Sequence, residues 1–193
     1  MLTPIKFELT FAFLLFCSLS VFATETVKNG TFLDGGNFWN GEGEVIKVNE
    51  EGQTVSEGGF PVLELTATKS SFVSSEQAIK FDPGVTKCVI TVIAKKFPDF
   101  RSNKESPKFT KNLGPGSWKW SSIAFPKADF YVRLQDGWYY FQAMDFPSGN
   151  DWQTITLNID GLTPQGYKKL SLILSPGEGN VIIRSVAVTE TSH

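Results

Sequence analysis

Past the first two dozen residues, the chain shows almost no helical periodicity. Apolar and polar positions alternate in short runs separated by Gly, Pro, Asn and Asp. Alternation at period two puts successive side chains on opposite faces of an extended chain, so each run predicts a strand with one buried face. Such runs cover 43–49, 61–68, 76–81, 86–96, 117–125, 152–159, 168–175 and 180–190. Many short strands with turn residues between them predict an all-β sandwich. The run at 86–94 is apolar on both faces, which predicts an interior strand.

The segment DFYVRLQDGWYYFQAM, 129–144, has Asp136-Gly137 at its middle. That dipeptide closes tight β-hairpins, and a two-residue turn there fixes the pairing register. Gln135 is then opposite Trp138, Arg133 opposite Tyr140, and Tyr131 opposite Gln142. Those six side chains share one face, and Phe130, Val132, Leu134, Tyr139, Phe141 and Ala143 share the other. The first face is unusually rich in aromatic rings and planar hydrogen-bonding groups. The competing reading makes these aromatics a second small core under a loop.

The N-terminal segment changes the picture of compartment. Lys6, the apolar run from Leu9 to Phe16 and the small-residue site Val21-Phe22-Ala23 form the layout of a signal peptide, residues 1–23. A lipoprotein reading of Leu14-Leu15-Phe16-Cys17 is the rival, opposed by the bulk of Phe16. The remainder, 24–193, is expected to be a single domain, secreted or periplasmic, with no membrane association after cleavage. Cys17 leaves with the leader, so Cys88 has no intrachain disulfide partner and is expected to be buried and inert.

Charge is close to balanced, at −2 overall, which gives no signal for nucleic acid. The exception is 95–120, where Lys95, Lys96, Arg101, Lys104, Lys108, Lys111 and Lys119 outnumber Asp99 and Glu105. Phe97, Phe100, Phe109, Trp118 and Trp120 are interleaved with them. This segment reads either as a solvated loop or as a cationic, aromatic rim for an acidic ligand.

The missing chemistry is informative. His193 is the only histidine, and a chain terminus holds a catalytic base poorly. No His or Cys cluster suggests zinc, and no Gly-rich loop in a strand-to-helix context suggests a nucleotide. A pair of carboxylates drawn from Asp129, Asp136, Asp145 and Asp151 would be the minimal requirement for a glycosidase. Asp136 is explained by its turn, and Asp145 and Asp151 flank a loop. The chain is therefore expected not to be an enzyme and to need no cofactor.

Asn29, Gly30, Phe32, Gly35 and Trp39 form a pattern in VKNGTFLDGGNFWNGEGEVIKVN, and the chain closes with LSLILSPGEGNVIIRSVAVTE. Both ends, with the Trp-led run DWQTITLNI, resemble galactose-binding-like jelly rolls, especially carbohydrate-binding modules of families 4, 9 and 22. The resemblance spans essentially all of 24–193. It implies a galactose-binding-domain-like sandwich that binds a polysaccharide or oligosaccharide without catalysis, often on the concave face of one sheet. Leu33 and Arg184 stand where such modules usually carry the carboxylates of a structural calcium site, so no metal is expected. Asp34 is then expected either to pair with Arg184 or to replace one of the missing calcium ligands. Trp39 and Trp152 match positions that pack in the core, and Asn29-Gly30-Thr31 reads as a turn more than as a glycosylation sequon.

Within this frame the hairpin face becomes a ligand platform of Tyr131, Trp138 and Tyr140, with Arg133, Gln135 and Gln142 as polar selectors. Sugar rings present C–H faces to aromatic planes and hydroxyls to planar amides and guanidinium groups. Arg133 would also favour an acidic ligand. Trp118 and Trp120 are further rim candidates. A structural or adaptor domain using the same face for a protein partner is the alternative.

Overall fold

The computed structural model describes residues 26–105, 108–111, 121–124, 126–136, 138–163 and 166–191; for 108–111, 121–124, 138–139 and 191 it describes the backbone alone. Strands in chain order are β1 (Asn40–Gly41), β2 (Glu44–Val48), β3 (Phe60–Thr66), β4 (Val73–Ile79) and β5 (Lys87–Lys96). Next come β6 (Arg101–Ser102), β7 (Lys108–Lys111), β8 (Ser121–Ala124), β9 (Phe130–Asp136) and β10 (Trp138–Met144). The last are β11 (Gln153–Asp160), β12 (Lys168–Leu174), β13 (Gly177–Glu178) and β14 (Asn180–Thr191). Seven of the predicted runs coincide with strands to within a few residues; the leader, Trp118 and Trp120 lie outside the described residues.

Two five-stranded antiparallel sheets form the sandwich. One has the order β1-β4-β12-β9-β10 and the other β11-β5-β14-β3-β2. β5 lies between β11 and β14, so its doubly apolar run is interior as expected. Cys88, Ile90, Val92 and Ala94 face the core from β5, against Leu170, Leu172 and Leu174 of β12 and Phe130, Val132 and Leu134 of β9. Cys88 is buried, and that burial, with Glu190 nearby, pushes its thiol up to about 12.

Trp39 belongs to this core and donates its indole N–H to the Asn29 carbonyl at 3.3 Å. Trp152 does not. It packs with Phe60 and Phe97 on Val48, Val62 and Ile182, a satellite cluster on the outer face of the second sheet.

The 28–39 segment is organised by Asn29. Its backbone is left-handed at φ 52°, a conformation Asn tolerates. Its Nδ2 donates to the carbonyls of Gly35 (2.8 Å) and Asn37 (3.1 Å), and its Oδ1 accepts from Asp34 N–H. That amide is therefore committed inside the fold, which accords with the turn reading of Asn29-Gly30-Thr31. Gly30 is needed for close approach: a Cβ there would sit 2.2 Å from the Val186 carbonyl oxygen.

The hairpin register differs from the expected one by a single residue. Gln135 is opposite Tyr139, Arg133 opposite Phe141, and Tyr131 opposite Ala143. Asp136 is the last residue of β9 instead of a turn residue, and its side chain is buried. Lys168 Nζ and the Thr163 hydroxyl both contact Asp136 Oδ1, and Thr163 N–H donates to Oδ2 at 2.6 Å. Burying a carboxylate demands such partners, and they hold Asp136 in the strand. A one-residue slip exchanges faces along the partner strand. Tyr140 and Gln142 thus leave the row set of Arg133 and Gln135, and the expected six-residue face does not form.

Candidate functional site

The outer face of the first sheet carries a continuous row across all five of its strands. Asn40, Glu76, Ser171, Arg133 and Phe141 stand side by side in the register. Directly opposed side chains in such a row are about 5 Å apart. The next row is Ala78, Lys169, Gln135 and Tyr139, and the row on the other side is Ser74, Ile173, Tyr131 and Ala143. The face is therefore graded, polar at one end and apolar at the other.

At the polar end a closed set of hydrogen bonds fixes the side chains. Arg133 Nη2 donates to Glu76 Oε1 (3.1 Å) and to Ser171 Oγ (2.8 Å), and Ser171 Oγ donates to the same Oε1 (3.0 Å). Lys169 Nζ pairs with Oε2 at 2.6 Å. Burial pushes the Glu76 carboxyl up, but hydrogen bonds from Lys169 and Ser171, with the charges of Lys169 and Arg133, outweigh it and hold the group below its usual range. Glu76 is therefore an ionised, oriented acceptor that keeps 26% of its side chain exposed.

A cleft of about 450 Å³ opens over the Asn40–Glu76 end of this row and over the neighbouring row of Ala78, Lys169 and Gln135. Its lining includes Asn40, Glu76, Gln135, Tyr167 and Lys169. Tyr167 immediately precedes β12 and is 75% exposed. A ring that open, beside a rigid array of donors and acceptors, offers an apolar plane and polar edges together.

The apolar end is covered. Tyr131 is 1% exposed and packs with Ala128 and Ile173 in a second small core, joined by Phe72, Phe141 and Ala143. Its hydroxyl accepts from Ala128 N–H at 2.8 Å and lies 2.8 Å from the carbonyl oxygens of Glu105 and Pro126. The start of the long basic segment thus lies over this end, and Tyr131 presents no open ring to a ligand.

The other expected residues separate. Arg133 is 6% exposed and its guanidinium is engaged with Glu76 and Ser171, so it positions Glu76 and is not an open anion site. Gln135 lines the cleft. Tyr140 packs against the main core and donates its hydroxyl to the Gly161 carbonyl at 3.1 Å. Gln142 is exposed and donates to the Ala143 carbonyl. Trp138 stands opposite Asp136 at the hairpin end. Asn40, Glu76, Tyr167 and Lys169 were not expected. Glu76 falls on the polar phase of VSSEQAI, but nothing in that run shows that Ser171 and Arg133 will be its neighbours.

Two of the other singled-out carboxylates have structural partners. Asp129 Oδ2 accepts the Phe146 N–H at 2.9 Å, and Asp145 pairs with Lys104. Arg184 sits where the β14 register shifts between Ile183 and Ser185. The bulge turns its guanidinium to Glu50 (3.0 Å) and over the Phe60 ring, 4.2 Å from its centroid, and not to Asp34. Leu33 is 76% exposed, and among the described residues no three His, Cys, Asp or Glu side chains gather at a metal-binding distance. The loop carbonyls of Gly35 and Asn37, oxygens of the kind calcium collects, each accept a hydrogen bond from the Asn29 amide instead. These residues do not fit a calcium ion.

No family model matches the chain, and no curated protein matches it in sequence. Solved structures do. "Family 16 Carbohydrate Binding Module-2" aligns with a TM-score of 0.53 at 14% identity, over 86% of this chain and 100% of that one. TmCBM61, solved in complex with β-1,4-galactotriose, aligns with a TM-score of 0.55 at 12% identity, over 86% of this chain and 99% of that one. The chain has the jelly-roll sandwich fold of carbohydrate-binding modules.

Proposed function

We propose that this protein is an exported, non-catalytic glycan-binding domain whose ligand lies in the cleft over Glu76, Gln135 and Lys169. The observation that carries this reading is Tyr167, three-quarters exposed at the edge of a prearranged polar row. Its ring supplies the plane for a sugar face. Glu76 accepts hydroxyl hydrogens, while Lys169, Gln135 and Asn40 donate to hydroxyl oxygens. Because the row is held by its own hydrogen bonds, little side-chain freedom is lost on binding. The fold shared with a module that holds β-1,4-galactotriose supports a saccharide as the ligand class. The 1–23 leader supports export.

The test is affinity electrophoresis through gels containing β-1,4-galactan and a panel of other neutral polysaccharides. At least one should retard the protein. Tyr167→Ala should cut that retention about tenfold, the scale of one lost stacking contact plus its buried area, with no change in melting temperature. Full retention by the variant would refute the assignment of the cleft.

A further inference from the structure

A second cleft, of about 480 Å³, opens at the far end of the sandwich. It is lined by Lys96, Arg101 and Lys104, by Ser102, Ser148 and Asn150, and by Phe100 and Phe146. Asp129 lines it too, whereas Gln135 lines the first cleft. Asp129 immediately precedes β9 and Gln135 lies near its other end, six positions on, about 20 Å at 3.3 Å per residue. The two clefts are separate.

Its cations are placed by the fold. Cys88, Ile90, Val92 and Ala94 all face the core, and Lys96 is next in the same alternating row. Its side chain therefore leaves β5 on the inner side, where the sandwich ends. Arg101 follows a few residues later, and its Nη1 donates to the carbonyls of Pro98 (2.9 Å) and Phe100 (2.8 Å). Those two bonds fix the guanidinium plane. Among the described residues no carboxylate forms an ion pair with Lys96 or Arg101. By contrast Lys104 is neutralised by Asp145 at 2.9 Å. Asp129, the one carboxylate of the lining among the described residues, accepts a hydrogen bond from the Phe146 N–H. The cleft keeps a net positive charge over a floor of Phe100 and Phe146, whose rings meet edge to face at 6.0 Å.

We infer that this cleft is a second binding site, specific for an acidic sugar residue carrying a carboxylate or a sulfate. The anionic group pairs with Lys96 and the fixed fork of Arg101, a geometry suited to planar or tetrahedral oxyanions. Ser102, Ser148 and Asn150 take the ring hydroxyls. A volume of this size exceeds what a bare ion fills. The acidic preference thus belongs to the basic 95–120 segment and not to Arg133.

The experiment is calorimetric titration of the intact protein with four probes: oligogalacturonate, dextran sulfate, inorganic sulfate and neutral dextran. Wild type should bind one acidic saccharide, and which one tells the carboxylate from the sulfate. That affinity should fall with added salt. Lys96→Gln/Arg101→Gln should lose it at least about tenfold, as expected for removing charge-assisted hydrogen bonds. Lys96→Gln alone should show a smaller loss, which serves if the double variant folds poorly. Tyr167→Ala should leave it unchanged, so this site and the first can fail separately. Inorganic sulfate or neutral dextran binding as tightly as the acidic saccharide would overturn the inference. So would undiminished binding by a folded double variant, or no binding of either acidic saccharide.

Discussion

Single residues settle which side chains face solvent. Asp136 reads as a turn former beside Gly137, yet its carboxylate is buried against Lys168 and Thr163. Lys168 and Asp136 each keep only 3% side-chain exposure, so neither charge has water to fall back on. Removing one partner strands the other, so Lys168→Met should cost about 3–5 kcal/mol in urea denaturation. The double change Lys168→Met/Asp136→Leu should recover most of that. A loss below about 1 kcal/mol for the single variant would show that the pair is not buried as described. The pH dependence has a defined sign. Burial pushes the Asp136 carboxyl up, but Lys168 and the Thr163 hydrogen bonds more than reverse this and hold it below its usual range. The unfolded chain therefore takes up the proton first. The pair's stabilisation is complete above the ordinary carboxylate value of about 4 and is lost as pH falls further, through the depressed folded value. The Lys168→Met/Asp136→Leu variant should lack that acid-side loss.

At the scale of elements, the consequence is a shifted ladder between β9 and β10. In the observed register Gln135 is opposite Tyr139. Paired cysteines at 135 and 139 should form a disulfide on mild oxidation, and cysteines at 135 and 138 should not. Cys88, buried and with its thiol pushed up to about 12, stays out of the exchange. The opposite pattern would restore the register of a two-residue turn. Strand positions were legible in the sequence because period-two alternation is a local signal: VSSEQAI and QTITLNID bury every second residue. The register was not. It depends on Lys168 reaching Asp136 from 32 positions further along the chain. The same limit hid the row of Glu76, Ser171 and Arg133, whose members lie on three strands that only the topology makes neighbours. Tyr131 failed as a platform for a related reason, since the Glu105 carbonyl that caps it arrives from a segment with no periodicity.

For the whole molecule, the two sheets serve different ends. The β11-β5-β14-β3-β2 sheet seals its outer face with Phe60, Trp152 and the displaced Arg184, and contributes Lys96 at its end. The β1-β4-β12-β9-β10 sheet leaves Asn40, Glu76, Gln135 and Lys169 lining a cleft beside Tyr167. The strand pattern made the sandwich legible in the sequence, whereas export and a non-catalytic role are proposals argued from the leader layout and the scarcity of histidine. The three-dimensional arrangement moves the proposed ligand from the hairpin edge to the sheet centre, and the proposed acidic recognition to a separate cleft. The most direct test of the central claim is a backbone amide chemical-shift map of the protein titrated with a neutral oligosaccharide from the retained polysaccharide. Shifts should concentrate at Asn40, Glu76, Gln135, Tyr167 and Lys169, on three or more strands of one sheet face. Shifts confined to the second sheet, or to the cleft at Lys96 and Arg101, would contradict the account.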